Sequence, residues 1–249
     1  KRLLAAGSGD IYQICKVFRD DEQGKNHSPE FSLLEWYRSG FDHHQLMTEM
    51  EELFNQLMQY HGGNQVRNAA VKTSYRQAFL HTLGFDPLTA SVADIKHMTW
   101  QHNIETPVNM EDDKDGWLDW LMVAAIAPAF AGDRLTFVYD YPVSQAALAR
   151  ASDTDPRVAH RFEMYFGELE LANGFHELTD AKEQRKRFIQ DNQQRLAKGL
   201  PAMPVDEDFL SALAHGLPAC AGVALGLDRL LMVLLEKNRI DEVLCFAVE

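Results

Sequence analysis

The chain has 249 residues, of which 46% are hydrophobic, enough for one large domain or two small ones with a substantial core. Its 37 acidic and 24 basic residues give a net charge of −13, which argues against a wide nucleic-acid footprint. No apolar run approaches the roughly 20 residues that span a bilayer, and the three distant cysteines indicate neither a zinc knuckle nor a disulfide scaffold, so we expect a reduced, cytoplasmic protein.

The first part of the chain predicts a hairpin followed by a helix. Residues rich in β-branched and aromatic side chains predict strands at Ile11–Arg19 and Glu30–Arg38, joined by a polar loop. Apolar residues then recur at helical spacing, at Leu46, Met50, Leu53 and Leu57. We expect a mobile loop over 61–73 and a helical insertion over about 75–131.

The second part alternates short strands with helices. Strands are predicted at Phe137–Tyr141, Phe162–Phe166, Leu169–Leu171 and Val223–Leu225, and helices at Asp180–Lys198, Asp206–His215 and Asp228–Glu236. Strands cluster near the two ends of the chain, an order unlike the alternating βαβ of a parallel sheet. The expected fold is α+β, an antiparallel sheet flanked by helices in one domain over 1–249.

One face of the second predicted strand suits a small ligand. Phe31, Glu35 and Tyr37 share that face because side chains alternate along a strand. Glu35 and Tyr37 stand roughly 6.6 Å apart and can together hold one ammonium group. Phe31 offers a platform for a purine base, and Arg19 on the facing strand is placed to grip a phosphate. The alternative is an ordinary amphipathic hairpin with a solvated Glu35.

Two carboxylates near a predicted turn form a second candidate. Glu168 and Glu170 point to one face of a regular strand, before an Asn173-Gly174 turn. Such carboxylates can hold Mg²⁺, which ATP chemistry uses to neutralise pyrophosphate. A plain hairpin is the alternative. The ten histidines lack ligand spacing, and we expect His43-His44 to lie at the surface.

A glycine-bracketed strand and the helix after it form a third candidate. Gly222, Ala224 and Gly226 share one face, where a ligand can approach the backbone. Asp228 is predicted to be the N-cap of the helix. Arg229 falls in the first helical turn, where the macrodipole disfavours a cation, so we expect it to stack on a base or contact a phosphate.

These segments, in this order, resemble the motifs of class II aminoacyl-tRNA synthetases in their lysine group. Phe18–Tyr37 resembles motif 2, Gly222–Leu230 resembles motif 3, and Glu170–Leu178 resembles the intervening segment that binds metal and amino acid. The stretches 34–38, 141–149 and 220–226 are more similar to the paralogues of lysyl-tRNA synthetase that modify elongation factor P. The resemblance covers essentially the whole chain.

The resemblance implies a two-step reaction that uses ATP and Mg²⁺. Lysine, or (R)-β-lysine in the paralogues, becomes an adenylate and is then joined to a lysine side chain of elongation factor P. Catalysis would rest on positioning and charge stabilisation by Arg19, Arg229 and Glu177. A homodimer is implied, with no membrane contact and no stable binding of tRNA. Motif 1 is expected to precede Lys1.

The resemblance also implies the residues of the site. ATP would contact Arg19, Asp20, Asp21, Ser28, Phe31, Glu170, Leu171, Gly226 and Arg229. Within that set Phe31 and Arg229 would sandwich the adenine, while Arg19 would reach the α-phosphate. The substrate would contact Glu35, Tyr37, Glu177 and Ala224, and the metal would contact Glu170 and Glu177. Two departures from the family pattern are Asp21, where glutamate is usual, and Ser28, where asparagine is usual.

Two other interpretations stay open at the level of sequence. One is a lysyl-tRNA synthetase catalytic domain that charges tRNA with lysine. The other is a synthetase-like protein that binds an amino acid or nucleotide without catalysis. Because decayed sites usually lose charged ligands, the presence of Arg19, Arg229, Glu170 and Glu177 argues against the second.

Overall fold

The computed structural model describes residues 1–20, 23–61, 68–106, 110 and 112–246. Its strands are β1 (Ile11–Phe18), β2 (Glu30–Ser39), β3 (Val71–Ser74), β4 (Leu135–Pro142), β5 (Val158–Phe166), β6 (Leu169–His176) and β7 (Cys220–Gly226). They form one sheet in the order β1-β2-β7-β6-β5-β4-β3. All neighbouring pairs are antiparallel except β3 and β4. The prediction of an α+β fold built on an antiparallel sheet is therefore confirmed.

Eight α-helices accompany the sheet in the described part of the chain. They are α1 (Arg2–Ala5), α2 (His43–His61), α3 (Tyr75–Leu83), α4 (Val92–Gln101), α5 (Lys114–Leu121), α6 (Ala181–Ala197), α7 (Glu207–Gly216) and α8 (Leu227–Leu234). Among these residues we find no helix with the length and apolar character needed to cross a membrane.

The parallel pair of strands corrects one prediction. Val71–Ser74 is a strand, although 61–73 was predicted to be a loop; the stretch 62–67 lies outside the described residues. Because β3 and β4 run in the same direction, the chain must cross over between them, and α3, α4 and α5 make that crossover. The helical segment predicted over 75–131 occupies this position.

Local sequence signals explain where several helices begin. At the start of α2, Asp42 Oδ1 accepts the backbone N–H of Gln45 at 2.8 Å, and Gln45 Oε1 accepts the N–H of Asp42 at 2.9 Å. Ser91 and Asp94 form the same reciprocal capping box before α4. Asp180 caps α6 by accepting the N–H groups of residues 182 and 183. Each cap satisfies backbone donors that have no partner within the helix.

The two faces of the sheet serve different purposes. On one face, apolar side chains of β2, β5 and β7 pack against α2, with Trp36, Phe162 and Val223 facing Met47 and Phe54. The other face carries the alternating residues of β2, β6 and β7. Helices α1 and α7 pack near Tyr37 on this face, and α3 and α5 pack near Tyr141. The predicted ligand-binding residues are on this second face.

The predicted turn at Asn173-Gly174 is wrong, because both residues lie inside β6. The hairpin between β5 and β6 turns instead at Gly167, which has a positive φ of 56°. Gly174 is required for packing, since a Cβ there would overlap the ring of Phe162 on β5. Glu168 lies exposed in the turn rather than on a strand, so it does not share a face with Glu170 as predicted.

Candidate functional site

A cavity of about 250 Å³ opens on the second face, between the β1–β2 hairpin, β6, β7 and the start of α8. Seven of the nine residues predicted to contact ATP line it: Arg19, Ser28, Phe31, Glu170, Leu171, Gly226 and Arg229. Asp20 is not among the lining residues, and Asp21 lies outside the described residues. The structure thus brings three separate sequence segments to one cavity.

Arg229 fastens two walls of this cavity. Its Nε donates to the carbonyl of Asn26 in the hairpin loop at 3.1 Å, and its Nη1 donates to the carbonyl of Glu170 on β6 at 2.8 Å. Nη1 also lies 3.9 Å from Glu170 Oε2. The guanidinium is therefore held in a fixed orientation at the cavity wall, which reduces the entropy lost when a ligand binds there.

Asp228 has a different role from the one predicted. The N-cap of α8 is Gly226, which has no capping side chain, and Asp228 lies inside the first turn. Its Oδ2 accepts the backbone N–H of Ser32 on β2 at 2.5 Å. This bond joins the first turn of α8 to β2, and so it positions Arg229 beside the cavity.

Arg19 and Phe31 stand at the base of the hairpin loop. The Arg19 N–H donates to the carbonyl of Pro29 at 3.0 Å, which closes the loop. The Arg19 guanidinium carbon lies 5.6 Å from the centre of the Phe31 ring, within cation–π range. Phe31 and Arg229 both line the cavity, and their predicted sandwich around adenine stays a prediction.

The two predicted metal ligands lie at opposite ends of β6. Glu170 is the second residue of the strand and Glu177 directly follows its last residue, so about 20 Å of extended chain separates them. One ion cannot contact both carboxylates, so the two residues cannot serve the same ion, and the assignment of either one to a metal stays a prediction. Glu170 belongs to the Arg229 end, and Glu177 belongs to the far end.

The surroundings of Glu170 raise the pKa of its carboxyl group. Desolvation raises its pKa to about 7; Glu163 adds to the shift, and Arg229 opposes it. A carboxylate in this state gains from a cation placed beside it. Magnesium prefers a few carboxylates together with waters and substrate phosphates, so the donor available here fits Mg²⁺.

A second polar cluster, of Glu35, Tyr37 and Glu177, lies on the same face of the sheet but is not part of the cavity lining. The cavity and this cluster together are called the cleft. Tyr37 donates its hydroxyl proton to Glu35 Oε1. Opposite Tyr37 in the register lies Gly222, where a Cβ would overlap the Tyr37 ring and would lie 2.6 Å from Glu177 Oε1. Tyr37 and Glu177 therefore converge over this glycine, and their role in binding the substrate stays a prediction. Desolvation and the neighbouring Glu177 raise the pKa of Tyr37 well above its usual value, so it remains a hydrogen-bond donor.

Glu177 is buried, with 2% of its surface exposed, and is paired with an ammonium group. Lys1 Nζ lies 2.7 Å from its Oε2. Desolvation raises the pKa of Glu177, and Lys1 opposes the shift. Across the described residues, no cation comes within ion-pair distance of Glu35. Because Lys1 balances the charge of Glu177, Glu35 is the carboxylate that an incoming ammonium group would neutralise.

Ala224 connects the two ends of the cleft. It lies between Glu35 on β2 and Asn173 on β6 in the register, and its methyl group lines the cavity. Asn173 was not predicted as a site residue because its Asn-Gly dipeptide suggested a turn. Its Oδ1 is buried without a hydrogen-bond donor in the described structure, so it is available to a ligand. Strand alternation from Glu177 through Phe175 to Asn173 is the signal that would have found it.

A buried network beneath the cleft was also missed. Glu163 on β5 accepts hydrogen bonds from the hydroxyls of Tyr141 and Tyr165, from Arg161 at 2.5 Å and from Asn173 at 3.3 Å. The carboxylate charge is thus shared among four donors, which a single buried carboxylate requires. The network fixes the Asn173 side chain at the cleft floor. No local sequence motif predicts this network, because its members come from three strands.

Comparison with known proteins adds an independent finding. The family model of class II tRNA synthetases (D, K and N) matches residues 1–249. Three curated relatives are each named elongation factor P–(R)-β-lysine ligase. The protein from Hamiltonella defensa is 49% identical over 249 residues and that from Edwardsiella ictaluri 47%, each covering 100% of this chain and 74% of the relative. The Vibrio vulnificus protein is 48% identical over 246 residues, covering 99% of this chain and 74% of the relative.

Proposed function

The chain belongs to the family of class II tRNA synthetases of the D, K and N group, and on that premise we propose that it is an elongation factor P–(R)-β-lysine ligase. It activates (R)-β-lysine with ATP and transfers the β-lysyl group to a lysine side chain of elongation factor P. The names of the relatives support the acceptor and the substrate. The charging of tRNA with lysine is the less favoured function.

The observation that supports this proposal is that one face of the sheet, formed by β2, β6 and β7, has two chemically distinct ends. The nucleotide end has Arg19, Phe31 and Arg229, two cations and an aromatic ring. The amine end has Glu35 and Tyr37 joined by a hydrogen bond. A diamino acid whose distal ammonium binds Glu35 would extend its carboxylate along β7 past Ala224 towards the arginines. This face of the sheet therefore suits the binding of ATP at one end and of an amino acid with a distal amine at the other end.

The chemistry proceeds in two displacements. A carboxylate oxygen of the substrate attacks the α-phosphorus of ATP, forming the mixed anhydride as pyrophosphate leaves. An amine of the acceptor then attacks the activated carbonyl carbon, forming the amide as AMP leaves and the amine loses its proton. Neither step uses a side-chain nucleophile. Arg19 and Arg229 stabilise the charge that develops on the phosphate oxygens.

Glu170 is the residue that we propose for Mg²⁺. A bound Mg²⁺ supplies neutralisation of the pyrophosphate charge. The chain contributes the carboxylate, and Arg229 holds the neighbouring β6 carbonyl in place. Glu177 we assign to the substrate, because its distance along β6 separates it from the phosphate end.

Two further features belong to the same proposal. We place the reaction in the cytoplasm, where ATP and a translation factor are available. We also propose a homodimer, and the apolar side chains on the edge strand β1 support it. Tyr12, Ile14 and Phe18 are 75%, 62% and 74% exposed, which leaves a row of apolar groups on a strand whose outer edge has no partner in the described sheet.

The proposal is tested by incubating the protein with ATP, (R)-β-lysine and elongation factor P. We expect a mass increase on one lysine of the factor, and poor charging of lysine tRNA with α-lysine under the same conditions. Glu35→Gln should abolish labelling, because it removes the charge that binds the distal amine. His215→Asn, an exposed change on α7, is the matched control and should label normally. Efficient tRNA charging without labelling of the factor would establish the synthetase function instead.

A further inference from the structure

Three histidines from distant parts of the sequence meet on the face of the sheet opposite the cleft. His43 begins α2, His160 lies on β5 and His176 ends β6. One ring nitrogen from each lies within 4.8 Å of the other two. His176 alternates with Phe175 and Glu177, which point towards the cleft, so its ring points away from it. The cluster is therefore separate from the site described above.

The nitrogens of this cluster are unusually short of partners. Both ring nitrogens of His43 and Nδ1 of His160 are buried, and among the described residues none of the three forms a hydrogen bond. His43 is only 3% exposed. A buried polar atom without a partner costs free energy, so such atoms call for a bound group or an ion. Three of them in one cluster exceed what ordinary packing explains.

A carboxylate lies beside one of the three histidines. Asp140 Oδ1 lies 3.5 Å from His43 Nε2 and is itself buried without a hydrogen bond in the described part of the chain. Asp140 stands at the irregularity in β4 between residues 139 and 141, with a positive φ of 57°. A non-glycine residue in this conformation is strained, and the strain directs its side chain at the histidines.

From this geometry we propose that His43, His160 and His176 form a binding site for a divalent transition-metal ion, with Zn²⁺ the best match and Asp140 beside His43 as the nearest carboxylate. Three imidazoles and one carboxylate are ligands that zinc accepts in tetrahedral sites. Ligand atoms around such an ion stand about 3.4 Å apart at zinc–nitrogen distances near 2.0–2.1 Å. Because the ligand nitrogens of the three histidines lie within 4.8 Å of one another, binding would bring them closer together by roughly an ångström.

The groups around the three histidines favour the neutral form of the imidazole rings and the binding of a cation. Burial lowers the pKa of His160 and lowers that of His176 to about 4, so these rings are in the form that binds metal at pH 7. Asp42 and Asp140 supply negative charge around the cluster. Arg150 is the cation that faces it, and its guanidinium donates to Asp153 at 2.7 Å.

An ion at this place would tie α2 to three strands. His43 lies on α2, His160 lies on β5 and His176 lies on β6. Asp140, beside His43, lies on β4. His176 also precedes Glu177 directly, so an ion would fix the end of the strand that positions a substrate-binding carboxylate. Its expected effect is stabilisation of the folded chain, since anything that binds only the native state raises the unfolding midpoint.

The proposal is tested by titrating the metal-free protein with Zn²⁺ alone, followed by calorimetry and thermal unfolding. The chain carrying Cys15→Ser and Cys245→Ser is used so that accessible thiols do not contribute. We expect one ion per chain and a raised unfolding midpoint. His160→Asn and His176→Asn, at half-buried positions that tolerate a polar substitute, should each weaken binding at least tenfold. His215→Asn, at an exposed histidine of α7, should bind as the parent does.

A second measurement covers the case in which a variant folds poorly. Co²⁺ replaces Zn²⁺ in the parent protein, and its visible absorption reports coordination by nitrogen and oxygen. Asp140→Asn, which keeps the side-chain shape, should change that spectrum. Absence of stoichiometric binding by the parent protein, or binding that His160→Asn and His176→Asn leave unchanged, would overturn the proposal. A spectrum dominated by thiolate charge transfer would overturn it as well.

Discussion

The Arg229 side chain both stabilises the fold around the cavity and forms part of the cavity lining. It makes two hydrogen bonds to backbone carbonyls, on Asn26 and Glu170, while its face lines the cavity. A sequence argument based on the helix macrodipole predicted that this cation serves a ligand. The structure adds that the residue also holds the hairpin loop against β6. Two different losses are therefore expected when it is replaced.

For Arg229→Lys we expect weaker ATP binding by about 1–2 kcal/mol, because an ammonium lacks the planar surface that covers a base. The lysine side chain at position 229 retains the positive charge, but it lacks the two separate N–H groups with which the guanidinium bridges the carbonyls of Asn26 and Glu170. Isothermal titration with ATP, and separately with lysine, measures the effect. Lysine binding in the absence of ATP should be unchanged, since Glu35 and Tyr37 lie at the other end of the cleft. ATP affinity equal to that of the parent protein would exclude Arg229 from the nucleotide site.

The protonation of Glu170 predicts a pH dependence for nucleotide binding. Because the pKa of Glu170 is raised to about 7, the carboxyl takes up a proton as pH falls through that value, and a proton competes with Mg²⁺ for the same oxygen atoms. The Mg²⁺ concentration needed for half-maximal ATP–pyrophosphate exchange should therefore rise from pH 8 to pH 6. In Glu170→Gln this dependence should vanish together with much of the activity. An identical slope in the variant would assign the titration to another group.

At the scale of elements, strand β7 contains two glycines with opposite requirements. At Gly222 a Cβ would overlap the Tyr37 ring and lie 2.6 Å from Glu177 Oε1. At Gly226 the nearest atom to a Cβ would be the Leu171 carbonyl oxygen at 3.7 Å, an ordinary contact. The protein itself thus needs glycine at 222. At 226 the protein tolerates a methyl group, and only a ligand in the cavity would be obstructed.

Gly222→Ala and Gly226→Ala should separate folding from binding. We expect Gly222→Ala to destabilise the protein by about 1–3 kcal/mol, because the Tyr37 ring must move. Gly226→Ala should leave stability within about 0.5 kcal/mol, and yet weaken ATP binding, because its methyl group enters the cavity. Chemical denaturation and ATP titration of both variants measure the two effects. Normal ATP affinity in Gly226→Ala would mean that the nucleotide does not lie over β7.

The elements that sequence predicted best are those with a local signal. The hairpin of β1 and β2 and the helices α6 and α7 all appear within one residue of the predicted bounds, and the glycine-bracketed β7 appears within three. The failures required non-local information. Val71–Ser74 is too short to show a pattern and becomes a strand by pairing with β4. Asn173-Gly174 has turn residues, but its pairing with β5 and β7 keeps it extended.

The same distinction holds for the functional residues. Phe31, Glu35 and Tyr37 could be predicted to share one face because side chains alternate along a strand, and their roles stay predictions. His43, expected at the surface, is buried, because its position depends on β5 and β6, more than a hundred residues away. Glu163 and its four donors were missed for the same reason. A site formed by strands that are distant in sequence has no characteristic residue spacing, so it cannot be predicted from local patterns.

At the scale of the whole molecule, charge distribution bears on the choice of acceptor. A run of basic residues from Lys182 to Lys198 lies on α6 and its C-cap, and most of its charges are paired within the chain. Arg185 pairs with Glu207, Arg187 with Glu183, and Lys198 with Asp113. Charges satisfied in this way displace few counterions from a polyanion. With a net charge of −13, the chain presents little attraction for a long nucleic acid.

We therefore predict weak binding of tRNA by this chain with a shallow dependence on salt. Non-specific nucleic-acid binding by proteins falls at dissociation constants of about 10⁻⁴–10⁻⁶ M, and the slope of log K against log salt is about −0.9 for each phosphate neutralised on duplex DNA. Filter binding of lysine tRNA at several salt concentrations should give an affinity at the weak end of that range and a slope corresponding to few contacts. Reversing one pair, with Lys198→Glu and Asp113→Lys together, keeps the net charge and serves as the control. A tight complex with a steep slope would show that a basic surface forms after all, and would favour the synthetase function.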